Sequence, residues 1–205
     1  VGVKVAPGIA HDVIPADWHA QWVSVGGDLV EASLWSPALA PEGRGRSCLL
    51  LDEAGAAHAL SSPEGMAANT PAERVEVAPL GAFIAEADPA VIRSGLLGRL
   101  ADKTGAGIVS DKIAYLTGDD LPDNPFYDRF EVLEVTNLRA KAISAALTSR
   151  DAGSVEIKKR GADINPDELR KSLKLGGGSA QLTVIATRLA GRHRAIICKR
   201  LPKNL

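Results

Sequence analysis

Three consecutive cations, Lys158, Lys159 and Arg160, follow a short alternating stretch that begins at Val155. Five of the nine cations that follow them in the sequence are candidates for the same role. Several Lys and Arg side chains on one surface neutralise the phosphates of a nucleic-acid backbone and give salt-dependent binding with little sequence preference. The candidate binding residues are Lys158, Lys159, Arg160, Arg170, Lys171, Lys174, Arg192 and Arg194.

The net charge of −1 hides a strong asymmetry along the 205-residue chain. Residues 1–136 hold 9 Lys and Arg against 20 Asp and Glu, whereas residues 137–205 hold 15 against 5. An acidic part joined to a basic part is typical of a nucleic-acid-binding appendage. The alternative that stays open is a non-catalytic structural or protein-interaction module whose acidic and basic halves pack together.

Other kinds of chemistry find little support in the sequence. Histidines and cysteines show no metal-ligand spacing, and no nucleophile motif is present, so we predict neither a metal site nor a catalytic residue. Aromatic residues are almost absent after Phe130, which favours recognition of a nucleic-acid backbone over base stacking. We expect buried free thiols, surface or loop histidines and a cytoplasmic protein. These residues are Cys48, Cys198, His11, His19, His58 and His193.

The basic residues lie on a predicted α-β-α-β-β module. Asn137 is predicted to cap its first helix and Asn165 its second, while Gly191 separates the last two strands. In the strand between the helices, Val155 should face the core and Lys158 should face outward. The expected fold class is α/β (α+β), with helices packed on one face of a small sheet.

The sequence of the acidic part predicts short strands and one helix that starts at the Asp88-Pro89 pair and ends at Gly105 or Gly107. Residues 26–35 have two interpretations. Gly26-Gly27 predicts a hairpin turn, and Asp28 equally predicts a helix cap. Residues 61–74 are rich in Pro, Ser, Gly and Asn and are typical of a linker.

Six segments together resemble a known group of bacterial, largely actinobacterial, proteins. That group comprises class I S-adenosylmethionine-dependent methyltransferases with a THUMP-like C-terminal domain. The resemblance covers nearly the whole chain and rests on the order and spacing of the segments. They are VKVAPGI, WVSVGGDLVEASLW, DPAVIRSGLL, KIAYLTGD, RFEVLEV and VEIKKRG.

The resemblance implies a division of labour along a longer protein, of which this chain is the C-terminal part. Residues 1–60 would be the terminal strands of a Rossmann-like methyltransferase sheet, 61–74 a linker, and 75–205 a THUMP-like substrate-binding region with the basic module 137–205. An upstream domain of the same chain would bind S-adenosylmethionine, because no glycine-rich loop between a strand and a helix occurs here. The implied partner is RNA, typically transfer RNA.

Overall fold

A computed structural model describes residues 1–203, so the last two residues of the predicted module 137–205 lie outside the described residues. Within residues 1–203 strands dominate, and they form two sheets of five and seven strands. Four short α-helices accompany them in this described range. The predicted mixed α/β class is confirmed.

The five-stranded sheet comes from the start of the chain and has the order β1-β3-β2-β4-β5. Strands β2 and β4 pair in parallel, and the other neighbours are antiparallel. Gly26 and Gly27 have φ values of 57° and 89°, as a two-residue hairpin turn requires, so the hairpin interpretation is right. The strands are β1 Gly2–Val5, β2 His19–Val25, β3 Asp28–Trp35, β4 Gly45–Leu51 and β5 Ala57–Ser61.

The seven-stranded sheet has the order β10-β11-β12-β9-β6-β8-β7, so the basic module continues into strands of the acidic part. Strands β10 and β11 pair in parallel, while every other neighbouring pair is antiparallel. The strands are β6 Phe83–Ala87, β7 Gly107–Ser110, β8 Ile113–Gly118, β9 Tyr127–Asn137, β10 Ala152–Lys159, β11 Ala180–Leu189 and β12 Arg192–Arg200.

Two helix predictions need correction. The single helix expected after Asp88 is broken at Gly95, whose φ of 72° lies in the left-handed region, although Asp88 does cap the first piece. Asn137 does not cap a helix, because it ends β9; Arg139 takes the cap position without a side-chain hydrogen bond. No helix in the described part could span a membrane. The helices are α1 Pro89–Arg93, α2 Leu97–Thr104, α3 Ala140–Thr148 and α4 Pro166–Ser172.

The hydrophobic core is continuous across the predicted linker 61–74. One cluster of buried residues joins Trp22 and Cys48 of the first sheet to Val91 and Leu116 on the other side of that segment. The two sides of the chain therefore bury apolar surface against each other. The linker boundary itself stays a prediction.

The seven-stranded sheet is strongly curled. Three strands separate β10 from β6, so a flat sheet would place them about 19 Å apart at about 4.8 Å per strand. Yet Lys158 Nζ on β10 lies 2.7 Å from Glu86 Oε2 on β6. Edge strand β7 also lies against β11. The concave face thus encloses its own cluster, which includes Tyr115, Phe130 and Ile196.

Candidate nucleic-acid interface

The two faces of the seven-stranded sheet have different environments. Helices α3 and α4 cover the convex face, where Ile143 and Leu147 pack with Val155 and Val184. Helices on one face of this sheet match the expectation from the sequence. The prediction that Lys158 faces outward is wrong, because its side chain enters the concave face, where only a fifth of it is exposed.

Ion pairs join the basic and acidic parts inside this concave face. Glu86 receives Lys158 Nζ at 2.7 Å and Arg160 at 3.6 Å. Arg200 pairs with Asp128 and, at 3.0 Å, with Glu156. Burial lowers the pKa of Lys158, but the hydrogen bond that Lys158 donates to Glu86 and the charges of Glu86 and Glu156 together outweigh burial, so the net pKa is raised. Lys158 is therefore charged at neutral pH.

These charges line a cleft of about 650 Å³ between the two sheets. Its walls carry five carboxylates and four Lys or Arg side chains, so the cleft is close to neutral. A neutral cleft gives no electrostatic attraction for a polyanion. The charged residues are Asp52, Glu53, Glu86, Asp88, Asp128, Lys158, Arg160, Arg200 and Lys203.

The ends of several basic segments meet elsewhere, at one end of the sheet. The backbone N–H of Arg160, just after β10, donates to Ala186 O at 3.1 Å, and Thr187 Oγ1 donates to Arg160 O at 2.9 Å. Thr187 pairs with Arg194, which pairs with Asn137. These paired residues form a row across the neighbouring strands β10, β11, β12 and β9. The end of β10, the β11–β12 hairpin and the start of α3 therefore lie side by side.

We call the five cations at this place the cationic end. Within the part of the chain that the structure describes, none of them has a carboxylate within 4.0 Å. Three carboxylates, on Asp163, Asp167 and Glu168, begin the neighbouring α4 segment, which leaves a surplus of positive charge. The members of the cationic end are Arg139, Lys159, Arg188, Arg192 and Arg194.

The eight predicted residues are therefore divided. Three of them, Lys159, Arg192 and Arg194, belong to the cationic end. Lys158 and Arg160 point into the cleft. The remaining residues, Arg170, Lys171 and Lys174, lie at or just beyond the C-terminal part of α4.

Arg170 has a structural contact of its own. Its Nη1 donates to Val155 O at 2.6 Å, on the strand β10 that forms the edge of the sheet. This hydrogen bond occupies a backbone acceptor that an edge strand would otherwise leave open. The nucleic-acid role of all eight residues stays a prediction.

Sequence reasoning missed Arg139 and Arg188 because neither belongs to a run of cations. Arg188 belongs to the cationic end because it pairs with His193 on the neighbouring strand β12. Arg139 belongs to it because α3 begins three residues after β9 ends. One signal was available: cations at a helix N-terminus oppose the helix dipole and so call for an explanation.

The histidine and cysteine predictions had mixed outcomes. The prediction that His19 is a surface or loop histidine is wrong, because this residue is only 4% exposed. Its ring nitrogens lie 2.9 Å from Gly43 O and 2.8 Å from Ser47 Oγ. The prediction of buried free thiols is confirmed, and burial raises the pKa of both Cys48 and Cys198 to about 12. Among the described residues, no group of three His, Cys, Asp or Glu could hold a metal ion.

The basic part of the chain is similar to a known protein family. Residues 128–200 match the family described as THUMP domain-like. We refer to these residues, which are about a third of the chain, as the THUMP-like domain. Apart from Tyr127, the first residue of β9, strands β9 to β12 and helices α3 and α4 lie within this range, and so does the cationic end.

Relatives also cover the acidic part. Two proteins named uncharacterized S-adenosylmethionine-dependent methyltransferases, from Mycobacterium tuberculosis strains CDC 1551 and H37Rv, are 35% identical to the chain over 192 residues. The alignment covers 92% of this chain and 50% of each relative. The predicted resemblance to methyltransferases with a THUMP-like domain is thereby confirmed.

A solved structure supports the fold. The crystal structure of a candidate methyltransferase from Porphyromonas gingivalis W83 matches with a TM-score of 0.70 and 15% identity. The match covers 98% of this chain and 51% of that one. The chain thus spans about half the length of the proteins it matches.

The described residues do not fit S-adenosylmethionine. A nucleotide-type cofactor site needs a glycine-rich turn between a strand and a helix. Gly26-Gly27 instead connects two antiparallel strands, and Gly178 precedes β11 and packs against Asp151. We therefore assign no step of methyl transfer to these residues.

Proposed function

We propose that the THUMP-like domain binds the phosphate backbone of RNA, with transfer RNA as the expected partner, on behalf of an S-adenosylmethionine-dependent methyltransferase. The names of the mycobacterial relatives support the methyltransferase part. The chemistry of the basic surface supports the RNA part. The methyl-transfer site would come from the half of the relatives' length that this chain does not span.

The observation that carries the proposal is the cationic end. Five guanidinium and ammonium groups from three segments lie at one end of the sheet without carboxylate partners among the described residues. Arginine donates up to five hydrogen bonds in a planar fork that suits phosphate oxygens. Surplus cations of this kind release counterions when they contact a nucleic acid, and this release drives binding.

A filter-binding titration with transfer RNA at about 50 mM and about 200 mM salt tests the proposal. Each phosphate contact contributes about 0.9 to the steepness of log affinity against log salt concentration, so five contacts predict a slope near −4.5. The affinity should therefore fall about 500-fold between the two salt concentrations. The variant Arg188→Gln/Arg192→Gln should weaken binding and flatten the slope by about 2. Absence of binding at the lower salt concentration would refute the proposal.

A matched control removes two exposed cations that lie outside the basic module and outside its neighbouring strands β7 and β8. Lys4→Gln/Lys103→Gln makes the same change in net charge outside the THUMP-like domain. If binding depends on position, this control should stay within about twofold of the wild type. Equal losses in both variants would mean that only overall charge matters.

A second role, internal docking, is favoured for a different set of cations. Lys158, Arg160 and Arg200 reach the acidic residues Glu86 and Asp128 across the curled sheet. These contacts correspond to the alternative in which acidic and basic halves pack together. Because the two sets of cations do not overlap, both roles are compatible in one protein.

A further inference from the structure

A groove on the outer surface of α3 continues from the cationic end towards the C-terminus of α4. Its volume is about 770 Å³, and none of the described carboxylates lines it. Two Lys side chains and four hydroxyl groups stand along an alanine floor. The lining residues are Ala140, Lys141, Ser144, Ala145, Thr148, Ser149, Ser172 and Lys174.

The cations of this groove flank one serine. Lys141 precedes Ser144 by three residues, which places both on one face of α3. The backbone N–H of Lys174 donates to Ser144 Oγ at 2.9 Å, so the following segment is fixed beside the same serine. Lys141 and Lys174 have no carboxylate within 4.0 Å in the described chain.

Two of the four hydroxyl groups are free to donate. Ser149 and Ser172 already donate to the carbonyl oxygens of Ala146 and Leu169. Ser144 only accepts, from Lys174, so its single proton remains available. Thr148 Oγ1 makes no hydrogen bond within residues 1–203 and lies one turn after Ser144. Ammonium groups beside free hydroxyl donors are well suited to phosphate oxygens and ribose hydroxyls.

The two helices differ in how their charges relate to the helix dipole. Helix α4 has Asp167 and Glu168 in its first turn and cations in its last turn, an arrangement that stabilises it. Helix α3 has no acidic residue in its first turn, and Arg139 and Lys141 stand at its positive end. These two cations oppose helix stability, so folding does not explain them, whereas an anion bound at this end does.

From these observations we infer that the α3 groove is a second RNA contact, in which Lys141, Lys174, Ser144 and Thr148 hold backbone phosphates and ribose hydroxyls of the strand that leaves the cationic end. This inference rests on the proposed function. It extends the RNA path from the sheet end along α3. It also gives Lys174 a role that its place after α4 alone does not indicate.

The test measures transfer RNA binding by Lys141→Gln/Lys174→Gln in the 205-residue protein. Two lost contacts at about 0.7 each for a single strand predict a salt slope less steep by about 1.4 and an affinity about 25-fold lower at about 0.1 M salt. Lys4→Gln/Lys103→Gln is the charge-matched control. The thermal midpoint of the groove variant should equal or exceed that of the wild type, because removal of Lys141 relieves the helix dipole.

The outcomes separate the inference from the proposed function. If the wild type does not bind transfer RNA, both fail. If the groove variant binds like the wild type while Arg188→Gln/Arg192→Gln is weakened, the RNA stops at the cationic end and the groove inference alone is overturned. If Thr148→Val also weakens RNA binding more than binding of DNA of the same sequence, the ribose contact is supported.

Discussion

Replacement of Lys158 by Met separates internal docking from RNA binding. In the structure Lys158 Nζ lies 2.7 Å from Glu86 Oε2, and the two side chains are only 20% and 23% exposed. Exposed ion pairs contribute about 0.2–1 kcal/mol, whereas breaking a buried pair costs about 3–5 kcal/mol. Glu86 keeps Arg160 at 3.6 Å, so no carboxylate is left unpaired. We therefore expect a loss of stability near the middle of the gap between these ranges, about 2 kcal/mol.

Urea unfolding measures this loss directly, and a thermal scan should show a midpoint about 4–8 °C lower for a chain of this length. A double-mutant cycle with Glu86→Gln should give a coupling free energy of about 1–2 kcal/mol. Binding of transfer RNA should stay within about twofold of the wild type, because Lys158 faces the cleft. Lys199→Met is the matched control, since Lys199 is exposed and has no carboxylate within 4.0 Å in the described chain.

The opposite pattern would refute this reasoning. If Lys158→Met left the free energy of unfolding within about 0.5 kcal/mol of the wild type and weakened RNA binding about tenfold, Lys158 would have to face the nucleic acid. The sheet would then be less curled in solution than its contacts indicate. The cycle with Glu86→Gln would correspondingly show no coupling.

Two further predictions concern acid sensitivity and close packing. Burial raises the pKa of Asp128, but the hydrogen bonds and charges of Arg200 and Lys203 together outweigh burial and the net pKa falls below the ordinary 3.8, so this stabilisation is present above about pH 4 and is lost as pH falls through the lower pKa of the folded state. Arg200→Gln should therefore cost about 1 kcal/mol at pH 7 and progressively less as pH falls below about 4, measured by urea unfolding across pH; a constant difference would contradict it. Gly178→Ala should destabilise by about 2 kcal/mol, because a Cβ would collide with Asp151, whereas Gly8→Ala meets nothing within 4 Å and should be neutral.

Local signals in the sequence predicted part of the local structure. Asn165 caps α4 through hydrogen bonds from the next residues, and Gly26-Gly27 forms the hairpin turn that was one of its two interpretations. These features depend only on neighbouring residues, so a single sequence contains the information. The break of the predicted helix at Gly95 escaped notice because a glycine inside a helical pattern is often tolerated.

The candidate site depended on long-range pairing that the sequence does not reveal. Alternation correctly placed Val155 and Lys158 on opposite faces of β10. What Lys158 meets, however, depends on the order of seven strands and on their curl. Burial of His19 likewise follows from the approach of a loop that carries Gly43. Contacts of this kind are set by tertiary structure, which local periodicity does not specify.

A run of three cations on a strand cannot form one basic surface, and this limit explains how the protein uses its charge. Successive side chains on a strand point to opposite faces, so at most two of Lys158, Lys159 and Arg160 share a face. Those two enter the concave face, where Glu86 neutralises them and where the pairing is possible only in the curled sheet. Lys159 remains on the other face. The five cations of the cationic end, which remain without carboxylate partners among the described residues, therefore come from separate segments that strand register brings to one end of the sheet, and not from the densest run of positive charge in the sequence alone.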